Sequence, residues 1–185
     1  YGRRKWRSPP WPATITSVLG DGSDLGARVR YSWEQPIVLG SAGGPRRALP
    51  ILGADTCLIV NGDTLTDVNV PALTAAHTES DAIVTLALVP NSEPLKYGGV
   101  RLDAGSRVTG FVPRGPSAAG SYHFLGVQVA HADAFRRAPA DQAINSIGGV
   151  YDQLLASRPG SIRGFVTDAA FWDIGTISDY WSTSL

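Results

Sequence analysis

Between residues 42 and 89 the chain alternates helix patterns with strand patterns, and that order limits the fold most. Residues 42–52 carry a helix pattern, with Pro45 tolerated in the first turn and Gly53 as a stop. Residues 56–60 (TCLIV) are a short β-rich run, and residues 71–78 repeat the helix pattern behind Pro71. Residues 82–89 (AIVTLALV) are apolar at nearly every position, the mark of a strand covered on both faces. This order predicts an α/β fold, with helices on both faces of a sheet whose strands, 56–60 included, are buried and mostly parallel.

The rest of the chain extends the pattern. Residues 14–19 are apolar, helix or strand, and end at Gly20-Asp21-Gly22. Residues 27–31 and 122–129 alternate as strands do. Residues 100–102 and 107–112 read as a hairpin around Asp103-Ala104-Gly105, which makes the sheet mixed. Residues 147–155 and 176–181 read as helices, with strands at 162–166 and 169–172 between them. No repeat or low-complexity tract interrupts this order. One domain over residues 14–185 is expected, behind a loose arm at residues 1–13.

That arm holds most of the charge asymmetry. Arg3, Arg4, Lys5 and Arg7 stand among Trp6, Trp11 and several prolines with no acidic residue, while the whole chain is balanced at 16 basic and 16 acidic. A basic aromatic arm could touch nucleic acid or a membrane surface, but a solvated, Pro-broken end is the expected reading. No apolar run approaches the ~20 residues that cross a bilayer. Cys57 stands alone, which fits a cytoplasmic protein, and its apolar setting points to packing rather than a nucleophile. The sequence begins at Tyr1 and contains no methionine, as expected of a fragment, a processed product or a truncated gene.

Ligands of open α/β sheets bind beyond the carboxyl ends of the strands. Asn61-Gly62-Asp63 follows the run 56–60, and Asp173-Ile174-Gly175-Thr176 follows the run 169–172. Carboxylates at neighbouring strand tips suit a shared Mg²⁺ that takes its other oxygens from water and substrate phosphate. Taken singly, each Asp reads first as a turn or helix cap, since such caps are common. The three histidines show no metal-ligand spacing.

Leu39-Gly40-Ser41-Ala42-Gly43-Gly44, a helix, an apolar strand, Val60-Asn61-Gly62-Asp63, and finally Trp172-Asp173-Ile174-Gly175-Thr176 form an ordered set. This set resembles the sugar-1-phosphate nucleotidyltransferase family, above all its mannose-1-phosphate guanylyltransferase branch, over residues 17–184. The resemblance implies a Rossmann-like nucleotidyltransferase fold with a mixed central sheet. It implies that Gly40, Ser41, Ala42 and Gly43 pass against the nucleotide, and that Asp63 and Asp173 hold Mg²⁺. Tyr97 and Gly98 match a pair beside the sugar. Arg114 stands where the family carries a lysine for the sugar phosphate, and Pro113 replaces the usual Glu. The implied partners are a nucleoside triphosphate, with GTP preferred, and a sugar 1-phosphate. An oligomer is compatible, while a membrane or nucleic-acid partner is not implied.

The family's N-terminal strand and GxGTRLxPLT turn do not occur in these residues. The nearest Gly-rich segment, residues 20–26, holds two aspartates that repel phosphate and reads as a structural turn. The N-terminal βα unit is therefore expected to be missing, and catalysis by this chain alone to be weak or absent. The alternatives are a non-catalytic nucleotide-binding fragment or a subunit that pairs with an active one. A glycosyltransferase using a finished nucleotide sugar fits less well, because Asp63 is followed by Thr64-Leu65-Thr66-Asp67 rather than a D-x-D.

Overall fold

The computed structural model describes residues 11–140 and 142–184. Most of the arm predicted at residues 1–13 lies outside them. The chain forms two compact units, Tyr1–Trp33 and Glu34–Leu185.

In the first unit, helix α1 (Trp11–Leu19) runs into a closed turn. Asp21 Oδ1 accepts from the Ser23 backbone N–H (3.0 Å) and hydroxyl (2.7 Å), which holds its pKa below the ordinary carboxylate value. The Tyr31 hydroxyl donates to the Gly20 carbonyl at 2.6 Å. The Gly-rich segment thus closes on itself as a structural turn. Residues 27–31 do not form the expected strand. Alternation suits a strand, but a strand exists only through a ladder, and these residues have none among the described ones.

The second unit is built on a six-stranded sheet. Its strands are β1 (Thr56–Val60), β3 (Val84–Pro90), β4 (Gly99–Leu102), β5 (Val108–Val112), β6 (Tyr122–His131) and β7 (Ile162–Val166). The order is β5-β4-β6-β3-β7, with β1 also paired to β6. Helices α2 (Gly40–Leu52), α3 (Val70–Thr78), α4 (Asp133–Arg136), α5 (Tyr151–Ser157) and α6 (Ile177–Thr183) connect or follow the strands. Two further strands, β2 (Thr64–Thr66) and β8 (Phe171–Asp173), form a separate ribbon. Among the described residues no helix is long and apolar enough to cross a membrane.

The α/β architecture and the mixed sheet agree with the sequence reading, but the direction of the strands does not. Only β3 and β7 pair in parallel; β1–β6, β3–β6, β4–β5 and β4–β6 are antiparallel. The sheet is therefore mostly antiparallel rather than mostly parallel. The cause is β6, ten residues long, which returns between β1 and β3 and takes both as antiparallel neighbours. Strand β1 is half-exposed rather than buried, because its recorded ladder is with β6 alone.

Alternation along β3 sorts the core onto two faces. Val84, Leu86 and Leu88 join Val100, Phe135, Tyr151 and Ile162 on one face, with Ala42 of α2. Ala87 joins Leu73 of α3, Leu125, Val127 and Val129 on the other. Covering both faces explains why residues 82–89 are apolar throughout. The Tyr151 hydroxyl donates to Gln128 Oε1 at 2.6 Å inside the first cluster, and burial pushes its pKa well up. Tyr151→Phe strands that buried carbonyl. We expect a loss of about 1–3 kcal/mol, read as a lower urea midpoint; an unchanged midpoint contradicts the packing described.

The helix expected over residues 147–155 begins regularly only at Tyr151. Ile147 is extended (ψ 135°) and Gly148 left-handed (φ 78°), so residues 146–150 form a kinked turn. Two adjacent glycines leave that turn without helix propensity, and Asp152 Oδ2 holds it by accepting the Gly148 N–H at 2.7 Å.

Candidate active site

Strand β1 ends at Val60, and the Asn61 N–H donates to the Gly126 carbonyl at 2.8 Å. Gly62 then turns the chain into β2. The ribbon pairs Thr64 with Asp173, and the Ile174 N–H donates to the Asp63 carbonyl at 2.9 Å. This register brings the two aspartates together across more than a hundred residues. Gly175 is their meeting point: a Cβ built there would lie 3.1 Å from Asp173 Oδ1 and 3.6 Å from Asp63 Oδ2. The Gly175 N–H donates to Asp173 Oδ1 at 2.9 Å and fixes that carboxylate.

Tyr97 supports the same residue. Its hydroxyl donates to Asp173 Oδ2 at 3.4 Å. Its ring lies against His123, 4.2 Å between centroids and tilted by 35°, and meets Phe171 edge-on at 5.7 Å. Tyr97, predicted beside the sugar, thus contacts a carboxylate predicted to bind metal. Gly98 lies against the β5 exit, where a Cβ would stand 3.1 Å from the Val112 carbonyl and 3.7 Å from the Arg114 nitrogen. The Arg114 side chain is exposed and has no ion-pair or hydrogen-bond partner among the described residues.

Sequence reasoning missed two groups here. Lys96 bridges to Asp179 at 3.0 Å and lies 5.0 Å over the Tyr97 ring. The Tyr97 hydroxyl and then Asp179 hold the Lys96 ammonium well above its ordinary pKa. The Thr176 hydroxyl, bonded to Asp179 at 2.6 Å, and then Lys96 hold Asp179 below its ordinary value. His123 is the second group, and its Nε2 is buried without a partner among the described residues. Lys96 adjoins the Tyr97-Gly98 pair in sequence, a signal that could have found it. Nothing local marks His123.

The Gly40 loop forms the first turn of α2, with Gly40 at φ 78°. The Ala42 and Gly43 N–H groups donate to the Ile144 carbonyl at 3.0 and 3.3 Å. Ser41 Oγ accepts the Ser146 N–H at 2.9 Å. Small residues at 40–43 therefore let residues 144–146 dock closely. A cavity of about 400 Å³ joins this loop to the strand tip, with Ser41, Asn61, Phe124, Gln128, Asn145 and Ser146 in its wall. Ser41 and Asn61 thus face one space, although the Ala42 and Gly43 N–H groups are already engaged.

Burial lowers the pKa of both His77, whose Nδ1 lies 2.9 Å from the Thr85 hydroxyl, and His123. A lowered imidazole pKa means that the unfolded chain takes up the proton first as pH falls. The stability these rings contribute is complete above their ordinary value of 6.5 and is lost as pH falls below it. The urea midpoint should therefore drop between about pH 7.5 and 5.5, before carboxylates titrate. A flat midpoint across that window contradicts this.

The fold and the carboxylate turn define a class: an α/β domain with its candidate site at the strand tips. The nucleotidyl transferase family model matches residues 9–185, and the chain belongs to that family. It is 32% identical over 170 residues to a mannose-1-phosphate guanylyltransferase of Mycobacterium tuberculosis, covering 91% of this chain and 47% of that protein. It is 30% identical over 155 residues to a D-glycero-alpha-D-manno-heptose 1-phosphate guanylyltransferase of Aneurinibacillus thermoaerophilus, covering 84% of this chain and 65% of that one. The chain thus spans about half to two thirds of the length of these relatives. The crystal structure of HddC from Yersinia pseudotuberculosis complexed with GMP-PN shares the fold, with TM-score 0.73 at 20% identity over 92% of this chain and 72% of that one.

Proposed function

We propose that this chain serves the transfer of a nucleoside monophosphate from a nucleoside triphosphate to a sugar 1-phosphate, forming an NDP-sugar and pyrophosphate. The observation that carries this reading is the convergence of Asp63 and Asp173 on Gly175. GTP and mannose 1-phosphate are the preferred pair, supported by the names of the relatives. A cytoplasmic setting suits these substrates.

Two carboxylates fit a hard cation such as Mg²⁺. Among the described residues no group of three or more His, Cys, Asp or Glu side chains is placed to hold a metal, so substrate phosphate and water would complete the shell. When bound, the ion neutralises developing phosphate charge. Asp63 and Asp173 would hold it, with Tyr97 orienting Asp173. Arg114 would pair with the sugar phosphate, bidentately where a lysine could not. The Gly98 N–H would meet a sugar hydroxyl. Residues 40–43 would line the nucleotide's path by their small size. The sugar phosphate oxygen attacks the α-phosphorus directly, with no covalent enzyme intermediate, so positioning and charge supply the catalysis.

These 185 residues contain no GxGTRLxPLT turn to grip the triphosphate. Turnover by this polypeptide alone is therefore expected to be slow or absent, with nucleotide binding retained. Pyrophosphate release from GTP, mannose 1-phosphate and Mg²⁺, measured beside calorimetric GDP-mannose binding, tests both statements. Brisk release overturns the first, and absent binding overturns the second.

A further inference from the structure

A second cavity, of about 650 Å³, lies between the β4–β5 hairpin and the turn from α5 into β7. None of its lining residues belongs to the candidate active site. Its size suits a small molecule. Arg107 and Arg158 line it, and neither guanidinium has a hydrogen-bond or ion-pair partner among the described residues. The position of Arg107 is built into the fold. Its stem crosses Gly160, where a Cβ would lie 3.2 Å from Arg107 Cδ and 3.3 Å from Nε. Gly160 also has φ 84°, so a side chain there would meet strain as well as Arg107.

Ser161 supplies the independent observation. The residue is 3% exposed and lines the cavity, and its hydroxyl is buried without a partner among the described residues. Buried hydroxyls ordinarily find one. Two carboxylates complete the wall. Asp103 is held by the Gly105 and Arg107 N–H groups at 2.8 and 2.9 Å, both on Oδ1, which leaves Oδ2 to a ligand. Asp81 has no partner among the described residues.

We propose that this cavity binds a sugar phosphate as a site separate from the strand-tip site. Two unpaired guanidiniums suit a phosphate group. Two carboxylates disfavour a bare anion and accept hydrogen bonds from hydroxyls, so the set matches a ligand carrying both. The buried Ser161 hydroxyl gains the partner it lacks.

Glucose 6-phosphate is a suitable probe, since its phosphate is not on the anomeric carbon. Calorimetry on the full chain is expected to show it binding at least tenfold more tightly than inorganic phosphate. Arg107→Ala with Arg158→Ala should weaken binding at least tenfold, while Asp63→Asn with Asp173→Asn leaves it unchanged. Both arginines are exposed, so the melting temperature should hold; if the alanine pair fails to fold, Arg107→Lys with Arg158→Lys should still weaken binding several-fold. Three results overturn the proposal: no binding, binding no tighter than phosphate (an adventitious ion only), or loss of binding in the asparagine pair and not in the arginine variants. These arms read independently of pyrophosphate release, so either proposal can fail alone.

Discussion

Asp63→Asn combined with Asp173→Asn should abolish stabilisation of the chain by Mg²⁺ plus GDP-mannose, while leaving the ligand-free protein folded. Asparagine keeps the Oδ1 acceptor that receives the Gly175 N–H, so the turn survives; the charge is lost, together with the long 3.4 Å bond that Oδ2 accepts from the Tyr97 hydroxyl. In the wild type, ligand at about a hundred times its dissociation constant adds about 2.7 kcal/mol, a rise of roughly 5–10 °C in Tm for a chain of this size. In the double variant that rise should vanish. The ligand-free variant should melt at or slightly above the wild type, because two carboxylates facing one glycine repel when no cation lies between them. A pair serving only as turn caps would behave oppositely: the variants would lose stability, and ligand would stabilise both proteins alike.

Gly40→Ala is the second large effect. Gly40 sits at φ 78°, and a Cβ there would come within 2.8 Å of the Ile144 carbonyl and 2.9 Å of Asn145 Oδ1. Left-handed backbone costs an alanine about 1–2 kcal/mol by itself. The clash adds to it, because Ile144 is held by its carbonyl to Ala42 and Gly43 and by its N–H to the Leu39 carbonyl at 2.8 Å. A total loss of about 2–4 kcal/mol is expected. Gly53→Ala provides the comparison: it too is left-handed, at φ 63°, but nothing lies within 4 Å of its Cβ. That variant should lose only the left-handed cost of about 1–2 kcal/mol, without the clash. Equal losses in the two variants would mean that Gly40 does not serve the docking of residues 144–146.

Much of the element order was legible because it is local. Residues 42–52, 71–78 and 82–89 announced α2, α3 and β3 through periodicity, Pro71 and Gly53. The hairpin around Asp103 could be read because its turn residues are local as well. Strand direction could not be read this way. The antiparallel pairing of β1 is made by β6, some seventy residues later, and no pattern inside residues 56–60 encodes it. Strand β2 has three residues, too few for a period to show. In the candidate site, Asp63 and Asp173 stood out by their place after apolar runs. Their meeting depends on the Thr64–Asp173 register, and the Lys96–Asp179 bridge and the His123–Tyr97 ring pair are likewise contacts between distant residues. For the Gly40 loop, small residues signalled a close approach, and the structure shows one such neighbour to be the chain itself.

Asp63 and Asp173 are proposed to hold one divalent ion in company with a nucleotide sugar. The most direct test is electron paramagnetic resonance of Mn²⁺ titrated into the chain with and without GDP-mannose. GDP-mannose should increase the fraction of bound Mn²⁺, saturating at one ion per chain, and Asp63→Asn with Asp173→Asn should remove this binding. Mn²⁺ uptake that is indifferent to GDP-mannose, or that persists in the double variant, would contradict the proposal.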